Sequence, residues 1–161
     1  MLVFTERGVF AMNTTVSTVV DLYRGVHQQF REIVDGLEDD ALDWSPGPDM
    51  NSIAVLVIHT LGSELDTLCL VRGLASDRDR DAEFRVSGST KADLLAALDL
   101  GDQRLAEHAA AITDDDLAAI RVRPGRDPQT GLHWLINNYG HAREHLGHTS
   151  MTVQLLRQRQ G

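Results

Sequence analysis

Four stretches of the chain repeat apolar residues at helical spacing, and each is cut off from the next by turn-forming residues. That pattern leaves almost no room for a sheet, because a half-buried strand needs apolar residues at every second position. The first stretch, Thr14 to Leu37, places Val16, Val19, Val20, Tyr23, Val26, Phe30, Ile33 and Val34 on one face, with Asn13 or Thr14 as its cap. The second starts with Asn51 or Ser52 as its cap, runs to about Arg72 and carries Ile53, Leu56, Val57, Leu61 and Leu65. The third, Thr90 to Ile112, opens on Thr90 and Asp93 at capping-box spacing. The fourth, capped by Thr130, spans Gly131 to Arg157, with Leu132, Leu135, Ile136, Tyr139, Leu146, Val153 and Leu156 expected inside. Ser45-Pro46-Gly47-Pro48 forbids a helix between the first two, since proline lacks the donor and clashes with the preceding turn. The fold class read from this is all-α, a four-helix bundle. The connector from Gly73 to Ser89 is long enough for a crossover that leaves the second and third helices parallel. Within it, Glu83 to Val86 could pair briefly as a strand, and the run Asp77 to Asp81 reads as a solvated link.

Composition narrows the function. At 161 residues the chain makes one domain, residues 13–161, preceded by a loose lead-in over residues 1–12 that is too short and too interrupted by charge to be a signal peptide. A net charge of -9 argues against nucleic acid or an anionic membrane as the main partner, and no apolar run is expected to reach membrane-spanning length. One cysteine, Cys69, excludes an internal disulfide and suits the reducing cytoplasm. Its apolar setting reads as a structural thiol rather than a nucleophile.

The chemistry concentrates in His141-Ala142-Arg143-Glu144-His145-Leu146-Gly147-His148. On a helix His141 and His145 stand one turn apart on one face, and Glu144 and His148 fall within about 60° of His141. Two imidazoles at this spacing can reach one ion; the alternative is a polar face that happens to be rich in histidine. A third imidazole, His59, interrupts the apolar face of the second helix, where burial demands a hydrogen bond or a metal. Three neutral imidazoles make an open metal site. His27, His108 and His133 lack partners at ligand spacing and read as ordinary surface or core residues. His141, Glu144 and His145 also spell an inverted zincin motif, but Met151 to Gly161 offers no acidic ligand, which disfavours a peptidase.

Leu42-Asp43-Trp44-Ser45-Pro46, Asn51 to His59, Gly62-Ser63-Glu64 and His141 to His148 occur in an order that resembles the DinB-like superfamily of four-helix metalloproteins, over nearly the whole chain. The resemblance implies an up-down-down-up bundle and a divalent metal, nickel or zinc, held by His59, His141 and His145. It implies that the metal activates a low-molecular-weight thiol, such as mycothiol or bacillithiol, for transfer or isomerisation of a small-molecule substrate, and that homodimers are common. Where the family often carries glutamine after the last ligand, this chain has His148, either a further residue near the metal or a different supporting partner. Glu144 is a candidate proton acceptor or support for a ligand. Lys91 is the only lysine, an arginine bias that points weakly to mycothiol. The competing function is a non-catalytic bundle whose metal pins two helices. Helical rise places His59 about 10 Å from the start of its helix. The segment before that helix should therefore cap the site, with Trp44 and the Ser45 to Asn51 turn as a pocket wall; the alternative is that Trp44 seals the core and the metal opens through the side of the bundle.

Overall fold

The computed structural model describes residues 13–160, and the lead-in expected over residues 1–12 lies outside them. Four long helices, α1 (Thr14–Asp35), α3 (Ile53–Val71), α5 (Lys91–Ala109) and α7 (Gly131–Gln160), alternate with three short ones, α2 (Asp39–Leu42), α4 (Arg80–Glu83) and α6 (Asp114–Ala118). A two-residue antiparallel pair, β1 (Ile120–Arg121) with β2 (Gln129–Thr130), precedes α7.

The helix starts are written in side chains. Asn13 accepts from the backbone N–H groups of Thr15 and Val16, and Ser52 from that of Val55. Thr90 and Asp93 close a reciprocal capping box, as their spacing predicts. Thr130 accepts from the backbone N–H of His133 at 3.2 Å. Gly131 is needed where it stands, because a Cβ there would overlap the carbonyl of Asp116 in α6.

Contacts between helices fix their directions. Arg31 pairs with Asp99 and His27 with Asp102, so α1 and α5 are antiparallel. Tyr23 meets Asn138 and Arg143 meets Gln29, so α1 and α7 are parallel. Ser63 meets Asn138 and His59 meets His141, so α3 and α7 are antiparallel. Gly101 lies against Leu61 and His108 against Arg72, so α3 and α5 run together. The bundle is up-down-down-up, with the crossover carrying α4.

The core includes Tyr23, Phe30, Leu42, Ile53, Leu98, Leu105 and Leu135, all almost fully buried. Three expectations need correction. Glu83 to Val86 forms no strand: Asp79 accepts from the Ala82 N–H and starts α4 instead. Ile136 is 56% exposed, because the inward stripe of α7 runs through Trp134, Leu135 and Asn138. The 19-residue helix α3 is, by length and composition, long and apolar enough to cross a membrane. Its apolarity has a local cause, since it packs against α4, α5 and α7 and is buried on most sides.

That burial takes polar groups with it. Glu64 of α3 is 2% exposed, and its carboxylate lies 2.9 Å from Nε2 of His27, itself buried. The other nitrogen of His27 lies 2.7 Å from Asp102, which Arg31 also holds at 2.6 Å. Burial works against charge on this imidazole, but hydrogen bonds to two carboxylates outweigh it and raise its pKa. His27, expected to be ordinary, thus ties α1, α3 and α5 together. The sequence clue was the partner: a glutamate in so apolar a helix has to be answered.

Candidate metal centre

Helices α3 and α7 run antiparallel, and their crossing brings His59 beside His141 and His145. Nε2 of His141 lies 3.3 Å from Nε2 of His59 and 3.0 Å from Nε2 of His145. Two nitrogens bound at about 2.0–2.1 Å to one ion, at about 90–110° to each other, stand about 2.9–3.4 Å apart. These two separations are those that a shared ion requires, one ligand atom from each of the three rings lies within 4.8 Å of the others, and the donor set is all nitrogen.

Electrostatics suit the same use. His141 is pushed down to about 4, first by burial and then by His59 and Arg78, with Glu144 opposing. His145 is likewise pushed down to about 4 by burial, His141 and His148. His59 is lowered too, burial outweighing its bond to Glu83. All three rings are neutral near pH 7, the form in which imidazole is a ligand.

The support of His59 comes from the crossover. Its Nδ1 donates to Glu83 Oε2 at 2.8 Å, which turns Nε2 toward the other two rings. Glu83 is buried and is gripped in turn by Arg78, whose Nε and Nη2 donate to its two oxygens at 2.6 and 2.7 Å. Arg78 Nη2 also lies 3.3 Å from His59 Nδ1, but the shorter bond assigns the ring hydrogen to Glu83. Gly62 makes room for this arrangement: a Cβ there would overlap the Glu83 carboxylate. Nδ1 of His141 is buried and has no partner among the described residues.

Three residues named from sequence stand elsewhere. Glu144 is exposed and makes no hydrogen bond to a ligand ring among the described residues; its influence is through charge. His148 stands on the outer side of His145, Nδ1 to Nδ1 at 3.4 Å, away from the shared point. Trp44 does not wall the site. It sits under Arg159, 5.8 Å from ring centroid to guanidinium, and lines a separate recess with Ala41 and Leu156. Arg159 lies about 20 Å beyond His145 along α7 at helical rise. Counting from the start of α3 located His59 along that helix, but Trp44 packs well beyond it, beside Leu156 and Arg159 near the end of α7, while the His59 ring faces His141 and His145. Cys69 is half-buried with a raised pKa, from burial and then Asp66, which fits an inert thiol.

Two of the ligand rings, His59 and His141, line a cavity of about 640 Å³. It follows the α3–α7 groove away from Trp44, past Ser63, Asn138 and Thr67 to Trp134. Arg78 and Arg80 from the crossover form one bank, and Arg123 and Arg126 from the β1–β2 loop form the other. Asn138 is fixed by Tyr23 Oη, which donates to its Oδ1 at 2.8 Å, and by its own donation to Ser63 Oγ at 2.8 Å. Sequence reasoning missed Glu83, Arg78 and Arg123. They lie in connectors without hydrophobic periodicity, where a buried charge looks like a solvated one.

The DinB superfamily profile matches residues 22–149. No curated protein matches the chain. Among solved structures, a conserved protein from Enterococcus faecalis is similar at a TM-score of 0.74 and 16% identity, covering 90% of this chain and 98% of its own. A DinB-like protein from Bacillus cereus reaches 0.68 at 17% identity, with 89% and 91% covered. Another from Bacillus subtilis reaches 0.67 at 18%, with 86% and 91% covered. These likenesses establish the fold, and the profile spans most of the bundle, from α1 through the three histidines. The chain belongs to the DinB superfamily.

Proposed function

We propose that this protein is a metal-dependent enzyme that activates a low-molecular-weight thiol, mycothiol being one candidate, for transfer to or isomerisation of a small molecule in a reducing cytoplasm. The observation that carries the reading is the cluster of three imidazoles, two of which, His59 and His141, line a 640 Å³ cavity. A volume of this order suits a small-molecule ligand. His59, His141 and His145 would hold the ion, and an imidazole set favours zinc or nickel. When bound, such an ion supplies Lewis acidity that lowers the pKa of a thiol toward neutrality.

The chain's own residues do the rest. Glu83 holds the His59 ring in one tautomer, and Arg78 holds Glu83. Asn138, locked between Tyr23 and Ser63, offers a fixed polar edge to the cavity, while Trp134 gives it an apolar wall that helps exclude water. A metal that only pins α3 to α7 would need no cavity beside it, which is why the catalytic reading is preferred over the structural one.

Metal analysis of untagged, metal-replete protein tests the first half. About one equivalent of zinc or nickel per chain is expected, lost in His141→Ala. The second half is tested by metal-dependent consumption of mycothiol in the presence of candidate electrophiles. A metal-loaded protein that binds no thiol would leave the non-catalytic bundle as the better reading.

A further inference from the structure

The chain is acidic overall, at -9, yet the cavity beside the three histidines is lined by four arginines and one carboxylate, Asp66. Glu83 stands behind this wall and neutralises Arg78. Asp77 and Asp79 border a different recess, on the α5 side of the crossover. The balance at the cavity is therefore a surplus of two positive charges on a protein whose net charge is -9. An acidic fold that gathers arginine at one recess creates a local field for an anion.

The arginines are not all engaged by the protein. Arg123 is held by one end: Nη2 donates to Thr67 Oγ1 at 2.7 Å and pairs with Asp66 at 3.0 Å. Its guanidinium lies over the Trp134 ring, 5.3 Å from the centroid. Nε is buried without a partner, and Nη1 makes no hydrogen bond among the described residues. Arg126, exposed at the cavity rim, makes no side-chain hydrogen bond or ion pair among the described residues. A half-buried arginine with Nη1 unpaired among the described residues, placed by an aromatic face and a threonine, is pre-organised for an oxyanion. The distance is also set. Trp134 precedes His141 by two turns on the same side of α7, about 10 Å at helical rise.

We propose that the cavity binds a small organic oxyanion, a carboxylate or phosphate, anchored by Arg123 and Arg126 about 10 Å from the histidine cluster. The other end of the molecule then lies against the rings of His59 and His141. This rests on the function proposed above and names its substrate class: Arg123 and Arg126 are positioning residues that select charge.

Trp134 reports on the site directly. The chain has two tryptophans, and Trp44→Phe removes the distant one, leaving the fluorescence of Trp134 alone. Benzoate, phenyl phosphate and benzyl alcohol are titrated into the zinc-loaded and the chelator-treated protein on this background. Benzoate or phenyl phosphate should bind at least about tenfold more tightly than benzyl alcohol in both samples, as charge-assisted bonds to arginine imply. The tighter of the two names the oxyanion. Arg126→Gln, at an exposed position, should weaken anion binding severalfold without changing zinc content, and Arg123→Gln should weaken it further. Equal binding of all three probes, no binding of any, or anion affinity unchanged in both variants would overturn the proposal. Benzoate that binds only the zinc-loaded form and ignores both variants would also overturn it, and would show the anion on the metal. Anion selectivity that survives in a protein unable to take up zinc would uphold the arginine anchor while removing the metal reading.

Discussion

Glu83→Gln isolates the contribution of the crossover to the metal centre. In the native chain the Glu83 carboxylate accepts from His59 Nδ1 at 2.8 Å and from Arg78 at 2.6 and 2.7 Å, all in a buried setting. Glutamine keeps the shape and one acceptor oxygen but loses the charge that makes the His59 ring a stronger donor to a cation. Loss of such a supporting carboxylate weakens metal binding by about 10–100-fold. That is about 1.4–2.7 kcal/mol. Gly62→Ala should act by the same route without touching a polar group, because its Cβ would occupy the place of the Glu83 carboxylate and force it off His59. The assay is zinc competition against a chromogenic chelator near pH 7, with circular dichroism to confirm the fold. Zinc affinity within threefold of native in a folded Glu83→Gln protein would refute the argument, since it would mean that His59 is oriented by packing alone.

Other perturbations have equally definite outcomes. His27→Leu leaves Glu64 buried without its partner and should cost about 3–5 kcal/mol in urea unfolding. The double variant His27→Leu, Glu64→Leu should cost less than the single one, and the opposite order would refute the buried-pair account. In metal-free protein the folded pKa of His141 and His145, about 4, lies below that of an unfolded histidine, so the unfolded chain binds more protons across that interval. Stability should therefore fall as pH drops from about 6.5 toward 4. The His141→Gln, His145→Gln double variant should fall less steeply in parallel urea titrations at pH 7 and pH 5. Trp44→Leu should leave zinc content and ligand affinity unchanged, because Trp44 packs under Arg159; a fall in thiol binding would restore it to the pocket. The homodimer expected from the family resemblance is checked by sedimentation, where a monomer throughout the micromolar range would refute it.

The sequence by itself determined the helices, because their causes are local. Thr90 and Asp93 cap α5 through bonds three residues apart, Pro46 and Pro48 forbid continuation between α1 and α3, and the spacing of His141 and His145 puts both on one face whatever surrounds them. It also marked His59, since an imidazole in an apolar stripe requires a partner. What it could not supply were the partners made by chain segments far apart in sequence. Glu83 reaches His59 across 24 residues and Arg123 reaches Thr67 across 56, from connectors whose charges look solvated when read one by one. Trp44 shows the same limit from the other side: rise per residue gave the height of the site along the bundle, but only the packing of α3 against α7 decided which groove His59 faces. Local hydrogen bonding and periodicity are encoded within a few residues. The azimuth of a helix and the burial of a loop charge exist only once the four helices have closed around each other.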